Sequence, residues 1–401
     1  MIVNLVLALA AAGAQSQPAR GDPPPFRVER PAPPVPAPPV PAPPVLNALH
    51  NAAPPEPAIV RFRAGEARCD GSGAERPVLT EEPFNGASFA PPAAPAGAAP
   101  DEVRLSFRIA ADGRPLGIKA ERRLQLPIDT RDVAAAFAAW RFAPGPERSG
   151  CTAAFRVEAV PVSRADPPAL HRFLALQALA GSPIPAAARA AFRRAMPAGS
   201  TCFDPRPNVR LQAFPAFEEI PQPPGTASYS FVGYEIAADG STRGARIASS
   251  SGNRMLDRQS LAAIGRTRYQ PGIRKGCNYP FYRRQAEPLR PPPPPEEAAF
   301  RPEGATCPAE RPQWAHMPEL VFPEEFRRRA IEGWAVVRYD VAPWGATGNV
   351  TVAASEPAAA FGEQAVRIVS SARKPPGGQG FTGCVVRVIF VLPERDGEPD
   401  A

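Results

Sequence analysis

The chain has 401 residues, of which 57 are Pro and 31 are Gly, roughly 22% for the two together where about 12% is ordinary. So much linker-forming residue disfavours one large catalytic core, yet a hydrophobic content of 44% is too high for a wholly disordered chain; two or three domains of about 100 residues with Pro-rich spacers fit the length. The net charge of +7 rests almost entirely on Arg, in short runs (Arg193-Arg194, Arg283-Arg284, Arg327-Arg328-Arg329) without interleaved aromatics, which reads as solvated surface and not as a nucleic-acid interface.

In chain order, Met1–Ala12 is apolar except for Asn4 and leads into Ala12-Gly13-Ala14, the small-x-small pattern that precedes signal cleavage. Residues 1–14 are therefore expected to be a cleaved export signal, too short to span the roughly 30 Å of a bilayer core. Residues 15–58 carry Pro-Ala-Pro-Pro-Val repeats and are expected to form a disordered, polyproline-like linker.

Beyond residue 58 one pattern recurs. In the middle of the chain Tyr229–Ile236 alternates as a strand, Asp239-Gly240 supplies a hairpin turn, a second strand runs near Gly244–Ser249, and Leu256, Leu261 and Ile264 recur at helical spacing. Arg268-Tyr269-Gln270-Pro271-Gly272 then ends the helix, and a last strand starts near Cys277. The same order appears around Asp112-Gly113, with Arg141-Phe142-Ala143-Pro144-Gly145 and a strand over Cys151–Val160. It appears again around Trp344-Gly345, with Arg373-Lys374-Pro375-Pro376-Gly377 and a strand over Cys384–Leu392. From the turn to the Arg is 29 residues each time (112 to 141, 239 to 268, 344 to 373). The expected fold is α+β: three tandem small ββαβ domains with antiparallel three-stranded sheets, joined by Pro-rich linkers.

The boundaries follow from this repeat. Domains are expected over 59–162 (the most degenerate), 200–284 and 303–394, with a helical interdomain segment at 163–199, a Pro-rich linker at 285–302 and a disordered tail at 395–401. Over 163–199 the apolar residues read as two short helices broken at Gly181-Ser182-Pro183, an interdomain packing element. The paired acids Glu81-Glu82, Glu218-Glu219 and Glu324-Glu325 precede the first strand of each unit, where they suit helix N-terminal turns.

Six cysteines allow 15 pairings. Alternate separations of 82, 75 and 77 residues favour one disulfide per unit, Cys69–Cys151, Cys202–Cys277 and Cys307–Cys384. No C-x-x-C is present and His50, His171 and His316 are scattered, so neither a zinc site nor thiol redox catalysis is expected. No triad, P-loop or dinucleotide fingerprint stands out; no catalytic residue, metal, cofactor or small-molecule substrate is expected.

The residues resemble the C-terminal domain of TonB-type energy transducers and the related TolA fold. The fullest likeness is Phe322-Pro323-Glu324-Glu325-Phe326 followed by Ala330–Val341; Ser249–Asn253 through Arg268–Gly272 is similar in the middle unit. The resemblance implies a non-enzymatic domain that binds an extended peptide by adding a strand to its sheet edge. It implies as partners outer-membrane TonB-dependent receptors or other envelope proteins, met in the periplasm, with membrane association only through them. The last strand of the third unit is the expected surface, through Val385, Arg387, Ile389 and Val391, with Trp334 and Trp344 as anchors; a central strand buried on both faces is the other reading of that apolar run. An anchored transducer with an uncleaved N-terminus and a passive envelope spacer are the alternative functions.

Overall fold

The hairpin turns explain the fixed 29-residue spacing. In the computed structural model, which describes residues 57–393 except 72, 85–86, 90–100, 125–127, 182, 185, 204, 284–286 and 309–312, Gly113, Gly240 and Gly345 all have φ between 83° and 86°. A Cβ on any of them would lie 2.0–2.1 Å from the carbonyl oxygen of Phe142, Tyr269 or Lys374, so only glycine permits the approach. In each case the residue after the Arg donates its N–H to the turn glycine carbonyl, at 2.9, 2.9 and 2.8 Å, and the glycine of the Pro-Gly pair bonds back to Ala111, Ala238 or Pro343. The Arg itself reaches the C-terminal helix carbonyls: Arg141 those of Ala138, Ala139 and Trp140, Arg268 those of Gly265 and Thr267, and Arg373 that of Ala372. A guanidinium there satisfies acceptors left unpaired by the helix end. The expected signal, linker and tail regions at 1–14, most of 15–58 and 395–401 lie outside the described residues.

The first segment contains β1 (Pro57–Ala64), β2 (Ala67–Cys69), β3 (Gly73–Glu75), β4 (Pro77–Leu79), β5 (Ala87–Phe89), β6 (Glu102–Ile109), β7 (Pro115–Arg123), α1 (Arg131–Ala138), β8 (Arg141–Phe142) and β9 (Arg148–Pro161). Its sheet has seven strands where three were expected: β6 pairs with β7 and β9, and β9 continues into β1 and β2. The 14-residue β9 takes partners on both edges, β6 over Arg148–Arg156 on one and, on the other, β1 over Phe155–Pro161 with β2 at Thr152.

Next come α2 (Pro167–Leu179) and α3 (Ala186–Arg194), then β10 (Val209–Leu211), β11 (Ser228–Ile236), β12 (Thr242–Ser250), α4 (Arg254–Arg266), β13 (Arg268–Tyr269) and β14 (Arg274–Arg283). The second sheet has the order β12-β11-β14, all antiparallel. One face buries Val232, Tyr234 and Ile236 against Leu256, Ala263 and Ile264 of α4. On the other face Tyr229 and Phe231 meet Leu170, Phe173 and Leu174 of α2, in a cluster that also takes Ile59 and Val162 from the first segment. The helical pair thus packs between the two segments, as its apolar residues require.

The third segment comprises α5 (Glu324–Arg328), β15 (Gly333–Val341), β16 (Thr347–Glu356), α6 (Ala359–Ser371) and β17 (Phe381–Phe390), with sheet order β16-β15-β17. The residues expected to form a linker dock on it. Leu289 exchanges backbone hydrogen bonds with Ala330 and Glu332, at 2.8 and 2.9 Å; the Trp334 indole donates to Pro292 O at 2.8 Å; and Phe300 covers Trp334, Val336 and Val385. Proline has no N–H, so Pro-rich chain lies on the sheet with few donors of its own left to pair.

The segments meet at Arg329, whose side chain is 0% exposed. Its Nε and Nη2 hold Asp132 at 3.0 and 2.6 Å, Nη1 reaches Glu81 Oε1 at 3.1 Å, Nη2 also donates to Glu82 O at 2.8 Å, and the Phe84 ring lies 3.8 Å away. Glu81 Oε1 accepts a further bond from Ala227 N at 3.2 Å, at the entry to β11. Glu81-Glu82 therefore form no helical turn; they serve this buried guanidinium. Nearby, a Cβ on Gly225 would come within 3.0 Å of Ala139 and 3.1 Å of Leu289, so the second segment touches both others at one glycine. Glu356 adds a second tie, accepting from Arg108 at 2.8 Å and from Gly117 N at 2.6 Å.

Replacing Arg329 by Leu strands two buried carboxylates and is expected to cost about 3–5 kcal/mol in urea unfolding; a loss under 1 kcal/mol refutes the junction. Burial pushes Glu81 up to about 7, against the pull of Arg329 and the Ala227 amide. The folded protein then holds this proton more tightly than the unfolded chain, so stability falls as pH rises from about 4.5 to 7, by on the order of 3 kcal/mol. Glu81→Gln should flatten that slope. The three cystines Cys69–Cys151, Cys202–Cys277 and Cys307–Cys384 each close a loop worth about 4–5 kcal/mol by chain entropy; non-reducing peptide mapping should return these pairs and no cross-segment linkage.

Candidate peptide-binding edge

Among the described strands β17 pairs only with β15 and forms an edge of its sheet. The Arg387 N–H points away from β15, to Glu297 Oε1 at 3.1 Å; by the antiparallel alternation, Val385 and Ile389 have the same orientation, and Val386, Val388 and Phe390 bond to β15. Ile389 and Val391 are 44% and 59% exposed. Val385 is buried beneath Phe300.

The two tryptophans part company. Trp334 is buried in the same cluster, and Trp344 is 72% exposed at the hairpin turn. Because Trp334 stands opposite Ile389 and β15 runs on to Val341 before the turn, Trp344 lies about 26 Å along the strand from that end. The six residues singled out in the sequence thus do not form one surface: Ile389 and Val391 lie together at one end, Trp344 at the other, Arg387 is capped by Glu297, and Trp334 and Val385 lie under the Pro-rich segment.

Part of the edge is already engaged. Thr306 N and Cys307 N donate to Thr382 O at 3.0 and 3.2 Å, and Thr382 N donates to Thr306 Oγ1 at 2.8 Å. The second segment treats β14 in the same way: Thr201 N donates to Lys275 O at 3.0 Å and Lys275 N to Thr201 Oγ1 at 3.0 Å. Each Thr directly precedes the first Cys of its disulfide, so the cystine staples a short chain to the strand edge. At the β14 position three residues beyond its Cys, where β17 has Arg387, stands Pro280, which has no N–H to offer. Both edges are blunted against indiscriminate pairing. The cysteine spacing pointed to these strands, but the capping bonds of Thr201 and Thr306 had no sign in the sequence, because their partners Lys275 and Thr382 are about 75 residues away.

Residues 225–284 and 318–393 match the family model for the Gram-negative bacterial TonB protein C-terminal region; no curated protein matches the chain. The matched residues span β11 to β14 and α5 to β17, the two three-stranded sheets with their helices. Each of these two segments thus carries a domain of the TonB C-terminal family.

Proposed function

We propose that the chain is an exported, periplasmic binding protein without enzymatic activity, built from three tandem TonB C-terminal-type domains at 59–162, 200–284 and 303–394, which binds extended peptides of outer-membrane receptors or other envelope proteins by strand addition. Domains of this family serve energy transduction and binding and interact with envelope or outer-membrane proteins. Support for a third copy comes from the first segment, where Gly113, Arg141 and Gly145 make the same turn-to-helix clamp as their counterparts. Among the described residues no helix is long and apolar enough to cross a membrane.

The observation that carries the binding mode is the edge position of β17 with Ile389 and Val391 exposed. Because Glu297 and Thr306 hold Arg387 and Thr382, a peptide strand starts at the Ile389 end and advances by displacing Glu297. Peptide then gains main-chain bonds along the edge and side-chain contact with alternate residues.

Titrating the full chain with receptor plug peptides, read by amide hydrogen exchange, should slow exchange at Ile389 and Val391. Ile389→Pro removes an outward N–H without touching the β15 ladder and should weaken binding at least tenfold, about 1.4 kcal/mol. No protection at millimolar peptide rejects the reading. For export, the intact mass of the protein recovered from the cell envelope should correspond to a start at Gln15; a mass retaining residues 1–14 rejects cleavage.

A further inference from the structure

A cavity of about 460 Å³ opens along the outer edge of β14, between α3 and the chain leading from Cys202 to Val209. Its volume is in the range that encloses a small organic ligand. Aromatic rings form its walls, among them Phe192, Phe203 and Phe231 with Tyr234, Tyr269 and Tyr282. Three guanidinium side chains, Arg189, Arg193 and Arg206, also line it, and no Asp or Glu is among its described lining residues.

The third segment provides an internal control. Tyr339, Lys374, Cys307 and Cys384 stand where the second segment has Tyr234, Tyr269, Cys202 and Cys277, and the space they line is about 10 Å³. There Lys374 is buried over the Trp314 ring at 3.8 Å, and Glu297 and Phe300 close the edge. The same corner of one fold is thus sealed in one copy and left open, walled with rings and lined with arginines, in the other. An added peptide strand is not the natural occupant, since Pro280 withdraws the donor in the middle of the β14 edge.

We propose that this cavity binds an amphipathic organic anion: a flat or chain-like apolar body against the aromatic walls and one carboxylate, sulfonate or phosphate head on Arg193 and Arg206. Guanidinium groups match such heads with paired hydrogen bonds, so three of them at one cavity favour an anion over neutral or cationic analogues. The site goes beyond the strand edge of the third segment and does not depend on it; the sequence, with its scattered arginines, led to no expectation of a small-molecule ligand.

The test uses the full chain with two probes, 8-anilinonaphthalene-1-sulfonate by fluorescence and dodecanoate by calorimetry. Expected are saturable binding at one site, competition between the probes, and at least tenfold weaker binding of dodecanol and dodecylammonium. Arg193→Gln with Arg206→Gln should weaken both probes at least tenfold without changing the thermal unfolding midpoint, and Asn278→Trp, which fills the cavity, should abolish binding. Phosphatidylglycerol vesicles that displace the sulfonate identify a lipid as the source of the head group, and vesicles that leave it bound identify a free solute; either upholds the proposal. Equal affinity for dodecanol and dodecanoate, or no saturable binding of either probe, overturns it, and the analogue comparison decides even if a variant fails to fold.

Discussion

The described residues are organised around one buried guanidinium. Arginine does not give up its proton in proteins, so Arg329, with no exposed side-chain surface, requires oxygen acceptors from wherever the chain can bring them. They come from 197 and 248 residues away, in Asp132 and Glu81, and Glu81 passes the constraint to Ala227 through its second bond. A junction of this kind is costly to leave half-made. It therefore fixes where the first and third segments meet and anchors the entry to β11.

Around that point the open faces of the sheets are closed by chain that belongs to no sheet. A three-stranded sheet with one helix leaves a face bare. In the second segment α2 and α3 cover it; in the third the Pro-rich residues 289–300 do so. Edges are handled separately, by a Thr-Cys staple on β14 and β17, by Pro280 on one and by Glu297 on the other. Faces are thus closed mainly by apolar contact, and edges by a cystine with a few hydrogen bonds beside it. Displacing the one bond that Glu297 accepts from Arg387 costs less than uncovering an apolar face.

Much of each segment was legible because its signals are local. Asp112-Gly113, Asp239-Gly240 and Trp344-Gly345 require glycine at the second position for the left-handed turn. The invariant distance to Arg141, Arg268 and Arg373 reflects one hydrogen-bonded clamp that admits no insertion. The candidate edge was legible only in part. The apolar alternation of 385–391 identified a strand, but neither the burial of Trp334 and Val385 nor the capping of Arg387 follows from that run, since Phe300, Pro292 and Glu297 come from a stretch whose composition resembles a spacer. The paired acids Glu81-Glu82 read as a helix start because acids suit that place; their carboxylates instead meet two arginines remote in the chain, Glu81 with Arg329 and Glu82 with Arg172.

The amino-acid sequence alone settled the turns, the helix ends and the family likeness of the second and third segments, because these depend on contacts within about 80 residues and on backbone rules that each residue carries with it. Tertiary structure decided the rest: that β9 takes partners on both its edges in a seven-stranded sheet, that the Pro-rich residues 289–300 lie on the third sheet, that one copy keeps a cavity its counterpart lacks, and that Arg329 joins the segments. The physical reason is the same in each case. Burial and desolvation are properties of what covers a group, and here the covering groups lie far away in the chain.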